Sequence, residues 1–226
     1  MNIIPDVSFY QYRYNPRKEI NFVKMREKCH AVIIRAGQNV WVDVECKRSM
    51  ELAKDAGLLR GSYWFYDSRA NPKRQAEKWV DVLGNDVPEM ELWMDYEDKY
   101  GGQFGKMTDL YNFAERLRSL IPNVRLGVYT GYYYWLEHLS PAESYFAQYP
   151  LWIAAYGTDK PRIPPTWTSY LMHQYTDNGT GAEYGAASGN IDLNRFNGDF
   201  EARYGKVKSL VLQAHYGNQT VEYRSK

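Results

Sequence analysis

The chain has 226 residues, a length common among single α/β barrels, and a formal net charge of +1. The near-zero charge argues against electrostatic binding of nucleic acid or acidic lipid, and no run of about 18 apolar residues predicts a membrane span. The 21 tyrosines and 7 tryptophans favour a carbohydrate-binding cleft over an aromatic core alone, because flat amphipathic rings stack well on sugars.

Strands and helices alternate through the first two-thirds of the chain. Short apolar runs predict strands at residues 2–8, 31–37, 61–66, 90–97 and 124–130. Helical periodicity and end signals predict helices at 16–29, 47–57 and 71–84, another that begins at a Thr108 cap, and short helices in YYYWLEH and PAESYFAQ. This order is typical of β/α units, whose strands lie parallel.

The rhythm changes after residue 150. Three more strands are predicted at 151–157, 170–176 and 190–196, and the linkers between them are rich in Pro and Gly without helical periodicity. About five β/α units followed by three strands with few helices give eight strands, the number that closes a small barrel. The sequence therefore predicts an α/β fold, an irregular TIM-like barrel, with an open doubly wound sheet as the alternative.

Two domains are predicted, a barrel at residues 1–200 and a C-terminal extension at 201–226. The tail SLVLQAHYGNQTVEYRSK has two alternating runs around Gly217 and Asn218, which predicts a β-hairpin. Two cysteines, Cys29 and Cys46, do not make a disulfide framework, so we expect buried free thiols.

Acidic residues lie on predicted strands, most of them at the strand ends. Asp6 ends the first strand, Asp95 and Glu97 end the fourth, and Asp192 lies on the eighth. Alternation points Asp95 and Glu97 to the same face, roughly 6.6–6.8 Å apart along the backbone. Strands one and eight are neighbours in a closed barrel, so Asp6 and Asp192 should be close. Arg35, on the second strand, is the nearest candidate counterion.

Such a group of carboxyls suits glycoside hydrolysis. One acid with a raised pKa protonates the leaving oxygen, while a carboxylate stabilises the positive charge on the sugar carbon. Crowded like charges raise at least one pKa in the group. Any one of these acids alone is better explained as a turn cap or an exposed residue, but the set at strand ends favours function.

Other chemistries lack their motifs. The sequence has no G-x-S-x-G, H-E-x-x-H or C-x-x-C, and GGQFG at 101–105 lacks the residues of a phosphate loop. The histidines are scattered, and His173, although near the predicted cleft, is expected to be a satisfied core residue. Carboxylates without histidine would suit only a hard cation, and no metal or cofactor is predicted.

The ordered motifs resemble the family 25 glycoside hydrolases, which are N-acetylmuramidase lysozymes. They are DVSFYQ, VIIRAGQ, GSYWFY, LWMDYED, GVYTGYYYW, LWIAAYG, HQYT and IDLNRF, from about residue 3 to 200. The resemblance implies an irregular barrel of five β/α units plus three strands. It also implies cleavage of the β-1,4 bond between N-acetylmuramic acid and N-acetylglucosamine in peptidoglycan.

The resemblance also assigns roles to residues. Glu97, in the D-x-E motif, matches the proton donor, and the other active-site acids match Asp6, Asp95 and Asp192. Substrate-binding positions match Arg35, Tyr63, Tyr129, Trp152 and Tyr156. The family commonly reads Tyr-His-Phe on strand three, where this chain has Trp64, and this departure is expected to alter substrate fine structure.

Three stereochemical routes stay open: retention through a carboxylate nucleophile, inversion, and attack by the substrate's own N-acetyl oxygen. A D-x-E pair on one strand fits the third route, with Glu97 as acid and then base and Asp95 as stabiliser of the acetamido group. Asp6 and Asp192 would then tune pKa values and substrate position.

Rival functions are a glycosidase on another N-acetylglucosamine polymer such as chitin, and a non-catalytic carbohydrate-binding barrel. The longer acidic pattern of family 18 chitinases is absent, since Trp93 and Met90 stand where it wants acids. All four candidate active-site acids are present, which disfavours a barrel that has lost catalytic activity and only binds carbohydrate.

The expected partner is bacterial peptidoglycan, acted on by a monomer outside the cell or in the wall. The opening MNIIPDVSFYQ lacks a signal peptide, so export would use another route, phage-driven lysis would release the protein, or the signal has been removed. The tail either packs on the barrel or begins a truncated wall-binding part.

Overall fold

The computed structural model describes residues 2–97 and 105–205, and the backbone of two further strands, Val211–Tyr216 and Gln219–Arg224. The glycines at 101 and 102 and the turn at 217 and 218, which the sequence singled out, lie outside the described residues. The two further strands pair antiparallel, with Val211 opposite Arg224. No described helix is long and apolar enough to cross a membrane.

Eight strands close into a barrel, which confirms the predicted fold and excludes the open sheet. We number them in chain order as β1 Ile3–Val7, β2 Ala31–Gln38, β3 Leu59–Phe65, β4 Leu92–Asp95, β5 Leu126–Gly131, β6 Leu151–Ala154, β7 Met172–Thr180 and β8 Asn190–Phe196. Strands β1 to β7 run parallel, from the β1–β2 pair round to the β6–β7 pair. Strand β8 runs antiparallel to both β7 and β1 and closes the barrel between them.

Helices cover the first five strands and then become scarce, as the linker composition predicted. They are α1 Phe22–Lys28, α2 Cys46–Asp55, α3 Pro72–Leu83, α4 Met107–Leu120, α5 Tyr132–Glu137, α6 Glu143–Phe146 and α7 Phe200–Tyr204. Helix α3 begins and ends as expected, with the Asn71 side chain accepting from the amides of Lys73 and Arg74 and with Gly84 at φ +55° after its last turn.

Two predicted helix starts are wrong. The helix expected from residue 16 begins only at Phe22, because the Asn21 side chain caps the Lys24 amide, and Arg17–Lys18 instead pairs with Arg13–Tyr14 as a small ribbon. Thr108 does not cap α4. It lies inside the helix, whose N-cap is Lys106, with the Asp109 carboxylate accepting from the Lys106 amide.

The core has two layers separated by the barrel wall. The larger cluster lies between strands and helices and includes Leu92 and Met94 of β4. The smaller one fills the barrel interior and includes Ile4, Ile33, Trp93, Trp152, Met172 and Phe196. Alternation explains the division, because residues two apart on a strand share a face.

The short helix α7 lies against the barrel interior cluster. Phe200 belongs to that cluster, and its ring contacts Phe196 with centroids 5.2 Å apart. The fully buried Glu91, just before β4, accepts from Arg203 Nε at 3.0 Å and from the Tyr204 hydroxyl at 2.5 Å. The predicted domain boundary at residue 200 therefore falls at the start of a helix that packs on the barrel, and the division stays a prediction.

Candidate active site

The mouth of the barrel is polar because, on several strands, a charged residue stands two positions after an apolar interior residue. Residues two apart on a strand share a face, so the charged side chain also points inward, but at the end of the barrel. Ile4 leads to Asp6 on β1, Ile33 leads to Arg35 on β2, and Trp93 leads to Asp95 beyond it on β4. Strand β8 runs the other way, so its acid lies near its beginning. Asp192 comes before Asn194 and the interior Phe196, and it still reaches the same mouth.

The four predicted acids line one cleft of about 340 Å³. Asp6 and Asp192 are direct partners across the β1–β8 ladder, which confirms their predicted proximity. Asp95 and Glu97 line the same cleft, while Tyr96 between them is fully buried among outer aromatic side chains. The expected shared face of the D-x-E pair is thereby confirmed.

Asp6 is held by amide donors at the base of the cleft. Its Oδ2 accepts from Gln174 Nε2 at 2.9 Å and from Asn194 Nδ2 at 2.8 Å. The Gln174 carbonyl accepts from the hydroxyls of Tyr129 at 2.7 Å and Tyr156 at 2.9 Å, so the Gln174 amide nitrogen faces Asp6. The ring nitrogen of Trp152 donates to Asn194 Oδ1 at 2.7 Å. The network fixes the position and hydrogen-bond acceptor role of one Asp6 oxygen.

Burial and crowding raise the pKa values of these acids. Burial raises the pKa of Asp6 to about 6 against the lowering effect of its amide donors. Burial, and then the charge of Asp6, raises the pKa of Asp192 to about 8. A pKa of about 8 keeps a proton on Asp192 near neutral pH, opposite Asp6 on the neighbouring strand.

Asp95 has the most strongly isolated carboxyl of the set. It is 3% exposed, and its Oδ1 has no hydrogen-bond partner in the part of the chain that the structure describes. Burial raises the pKa of Asp95 well above its usual value, the charges of Glu97 and Asp6 raise it further, and Arg35 opposes them. The Oδ1 atom is therefore a buried acceptor without a partner among the described residues, on a side chain that lines the cleft.

Arg35 is not the direct counterion of the four acids. Its Nε donates to Asp43 Oδ2 at 2.9 Å, in a buried pair, and its guanidinium lies 4.8 Å from the Phe9 ring centre and 5.2 Å from that of Trp41. Its Nη2 is buried without a partner among the described residues. It still lines the cleft, where its charge lowers the pKa of Asp95.

Three of the predicted aromatic residues line the cleft and two do not. Tyr63, Tyr129 and Trp152 line it, and the Trp152 ring lies edge-on to Tyr129 with centroids 4.5 Å apart. Tyr156 lies in the loop after β6, half-exposed, and reaches the site through its hydroxyl bond to Gln174.

The prediction that Trp64 contacts the substrate is wrong. It is fully buried on the outer face of β3, packs against Trp79, and donates from its ring nitrogen to Gln75. Its neighbour Tyr63 faces the cleft, and alternation sends Trp64 the other way.

The sequence analysis missed several cleft residues. They are Ser8, Tyr10, Gln11, Phe65 and Gln174 on the lining, and Asn194 beneath it. Gln174 and Asn194 had a signal, since they stand two residues from the interior Met172 and Phe196. The neighbouring His173 points away and bonds the carbonyl of Ala155 at 2.7 Å, which confirms it as a satisfied core histidine. Cys29 and Cys46 are buried free thiols, also as expected.

The described residues hold no group of three or more His, Cys, Asp or Glu side chains arranged for a metal ion.

Comparisons with known proteins agree with this geometry. The sequence model of a family described as "Glycosyl hydrolases family 25" matches residues 6–184. An "Autolytic lysozyme" of Clostridium acetobutylicum is 29% identical over 187 residues, covering 81% of this chain and only 54% of that protein's own length.

Solved structures share the fold. A bacterial lysozyme from Streptomyces coelicolor superposes with a TM-score of 0.75 at 21% identity, covering 91% of this chain and 96% of that one. A muramidase from Trichobolus zukalii gives a TM-score of 0.71 at 23% identity, covering 91% of this chain and 99% of that one.

Proposed function

Because the chain belongs to family 25 of the glycosyl hydrolases, we propose that it is a 1,4-β-N-acetylmuramidase, a lysozyme. Its substrate would be the bond between N-acetylmuramic acid and N-acetylglucosamine in bacterial peptidoglycan, and it would act on the cell wall as a monomer without nucleic acid or membrane partners. The similarity to a protein named autolytic lysozyme supports this substrate class.

The convergence of Asp6, Asp95, Glu97 and Asp192 on one aromatic-lined cleft carries the proposal. Glycoside hydrolysis needs an acid for the leaving oxygen and negative charge near the sugar carbon. Tyr63, Tyr129 and Trp152 supply ring surfaces and edges against which a sugar packs. The cleft of about 340 Å³ is at the small end of ligand sites, and it suits one ring at the reacting position.

Glu97 is proposed as the proton donor. It borders both the carboxylate cleft and the larger groove of about 930 Å³ beside it, so a glycosidic oxygen at Glu97 would have one sugar in each. Glu97 donates its proton to that oxygen as the bond to the anomeric carbon breaks. In the second half it takes a proton from the attacking water.

Asp95 is proposed to serve the acetamido group of the reacting sugar. The acetamido oxygen attacks the anomeric carbon, and the nitrogen becomes positively charged. The Asp95 carboxyl lines the cleft, and in this proposal it accepts the N–H of that group. Its raised pKa makes it a stronger base than an exposed aspartate once it is ionised. The route gives net retention of configuration, since two displacements occur at the same carbon.

Asp6 and Asp192 are proposed as positioning residues. A proton on Asp192 would halve the negative charge that the pair presents to Asp95 and so favour ionisation of Asp95. The amides of Gln174 and Asn194 fix the Asp6 oxygen at the floor of the cleft.

The test is digestion of purified peptidoglycan by wild type and Glu97→Gln, with reducing ends assigned by mass spectrometry. We expect fragments that end in N-acetylmuramic acid, and a loss of roughly 100-fold or more in Glu97→Gln. The matched control is Glu27→Gln on the exposed face of α1, which should keep full activity. Wild-type binding to the wall without release of fragments would contradict the proposal and indicate a binding barrel. Reducing ends of N-acetylglucosamine would indicate a different bond.

A further inference from the structure

A groove of about 930 Å³ continues from the carboxylate cleft, and it is the larger of the two spaces that meet at Glu97. Glu97 lines both spaces, so the two are joined at the proposed acid. One wall is α5, with Tyr132, Tyr133, Tyr134 and His138. The other is the loop between β6 and β7, with Lys160 and Arg162. These are the stretches YYYWLEH and TDKPRIPPTWTS, which the sequence analysis left without a function.

The β6–β7 loop is anchored at its far end. Trp167 packs on Trp135 with ring centroids 4.6 Å apart, and Trp135 Nε1 donates to Thr166 Oγ1 at 2.8 Å. Thr166 Oγ1 in turn donates to Glu143 Oε2 at 2.7 Å. With prolines at 161, 164 and 165, this loop presents its side chains from a restrained backbone.

The groove is lined by two exposed cations, Lys160 and Arg162, and by two carboxylates, Glu97 and Glu137. Arg162 is oriented by α5, since its Nη1 donates to the Tyr133 hydroxyl at 3.3 Å and its guanidinium lies 5.8 Å from the Tyr132 ring centre. Among the residues described, neither Lys160 nor Arg162 makes an ion pair. The carboxylate next in sequence, Asp159, is paired with Arg195.

We propose that this groove binds the acidic peptide carried by the muramic acid of peptidoglycan, with Lys160 and Arg162 contacting its carboxylates. The inference rests on the proposed function, which places a glycan strand at Glu97. The sugars of that strand are neutral, so they give no reason for two cations. The lactyl-linked stem peptide has free carboxylates, and a glycan strand that crosses Glu97 can present it to the groove that begins there. An arginine fork oriented by two tyrosines suits a carboxylate.

The experiment compares two substrates that differ only in the peptide. One is purified peptidoglycan freed of other anionic wall polymers, and the other is the same glycan after an amidase has removed the stems and the lactyl carboxylates freed by that hydrolysis have been converted to amides. We expect the double variant Lys160→Ala/Arg162→Ala to lose about five- to tenfold in kcat/KM on the first substrate, from two exposed charge contacts, and to match wild type on the second. The effect on the first substrate should shrink in high salt.

Matched variants control for charge and folding. Lys24→Ala/Lys28→Ala removes two exposed cations from α1, on the opposite wall of the barrel, and should leave both substrates unaffected. Lys160→Arg should retain the preference for the peptide-bearing substrate. Equal losses of the groove variant on both substrates, or no loss on either, would overturn the proposal.

Failure of the proposed function has a separate signature. Wild type would then cleave neither substrate. In that case calorimetric titration of a soluble disaccharide-tetrapeptide, against the same disaccharide with its lactyl carboxyl converted to an amide, decides the inference. Peptide-dependent affinity that Lys160→Ala/Arg162→Ala weakens supports it, and equal affinities for the two ligands refute it.

Discussion

Asp6 and Asp192 face each other across the β1–β8 ladder, and both line the cleft at the mouth of the barrel. The two pKa values belong to the pair, with Asp6 raised to about 6 and Asp192 raised to about 8, in both cases first through burial. One proton therefore stays in this pair at neutral pH, when aspartates in an unfolded chain have lost theirs.

This proton makes folding stability depend on pH. Between the ordinary pKa near 4 and the folded value of about 8, the folded state binds more protons than the unfolded state, so the free energy of unfolding falls as pH rises. Asp192→Asn removes the group, and we expect a shallower decline between pH 5 and 8 in denaturant titrations. Asp81→Asn, exposed on α3, should keep the wild-type slope. A decline as steep in Asp192→Asn as in wild type would contradict the assignment of the proton.

Asp95→Asn tests the acetamido route. The amide keeps the shape but loses the negative charge, so we expect kcat to fall by roughly 100-fold or more with a smaller change in KM. NMR of the first product from wild type should show the β-anomer, and glycan with de-N-acetylated muramic acid should resist cleavage. Release of the α-anomer would mean inversion and would rule this route out.

Gln174→Ala tests the positioning of Asp6. Loss of an amide donor removes an interaction that lowers the pKa of Asp6, so that pKa rises further. We expect activity to drop by about tenfold, with the acidic limb of the kcat/KM profile moved to higher pH. His173→Ala, next in the chain but facing away, should leave the limb in place even if it lowers the melting temperature. A uniform loss at every pH would indicate a merely structural role for Gln174.

Substitutions at Trp64 and Trp152 should have different effects, the first mainly on folding stability and the second on kcat/KM. Trp64 is enclosed by Trp79 and by the backbone of Gly37, where a Cβ would lie 2.6 Å from the indole ring. Trp64→Ala should cost about 3–5 kcal/mol of folding free energy, and the milder Trp64→Phe should keep kcat/KM within about twofold. Trp152→Phe should lower kcat/KM several-fold, because it loses the bond to Asn194 as well as ring surface in the cleft. A raised KM in Trp64→Phe with unchanged melting temperature would indicate that Trp64 binds the substrate.

Truncation tests where the barrel ends. A chain ending at Gly205 retains α7 and should keep the melting temperature and activity of the full chain. A chain ending at Asp199 loses Phe200 and leaves the buried Glu91 without Arg203 and Tyr204, a loss of about 3–5 kcal/mol. Equal stability of the two truncated chains would place the boundary at residue 200, as the sequence predicted.

Much of the fold could be predicted because its signals are local. Asn71, Pro72 and Gly84 mark α3 at both ends, and the Pro- and Gly-rich linkers mark where helices stop. The first helix was placed six residues too early because the Asn21 cap was overlooked in favour of Pro16. The reversed direction of β8 has no local signal, since direction depends on which neighbours a strand pairs with.

The site residues could be predicted from the alternation of side chains along strands, and the errors arose where that alternation was not followed. Acids at strand ends identified Asp6, Asp95, Glu97 and Asp192, yet adjacent residues on β3 cannot both face the cleft, and Trp64 was included beside Tyr63. The partner of Arg35 is Asp43, eight residues along the chain, just after the short strand Trp41–Val42 that pairs back on β2. The roles of the site residues stay predictions.

The contact between Asn194 and Asp6 spans 188 residues of sequence, and it has a consequence for the timing of synthesis. Domains commonly fold as the chain emerges from the ribosome, at about 5–20 residues per second. Asp6 is therefore synthesised roughly ten to forty seconds before its partner Asn194. Until then the carboxylates of β1 and β4 lack the strand that closes the ring around them. A nascent chain therefore carries no assembled cleft until β8 has been synthesised, and any hydrolytic activity begins only after that point.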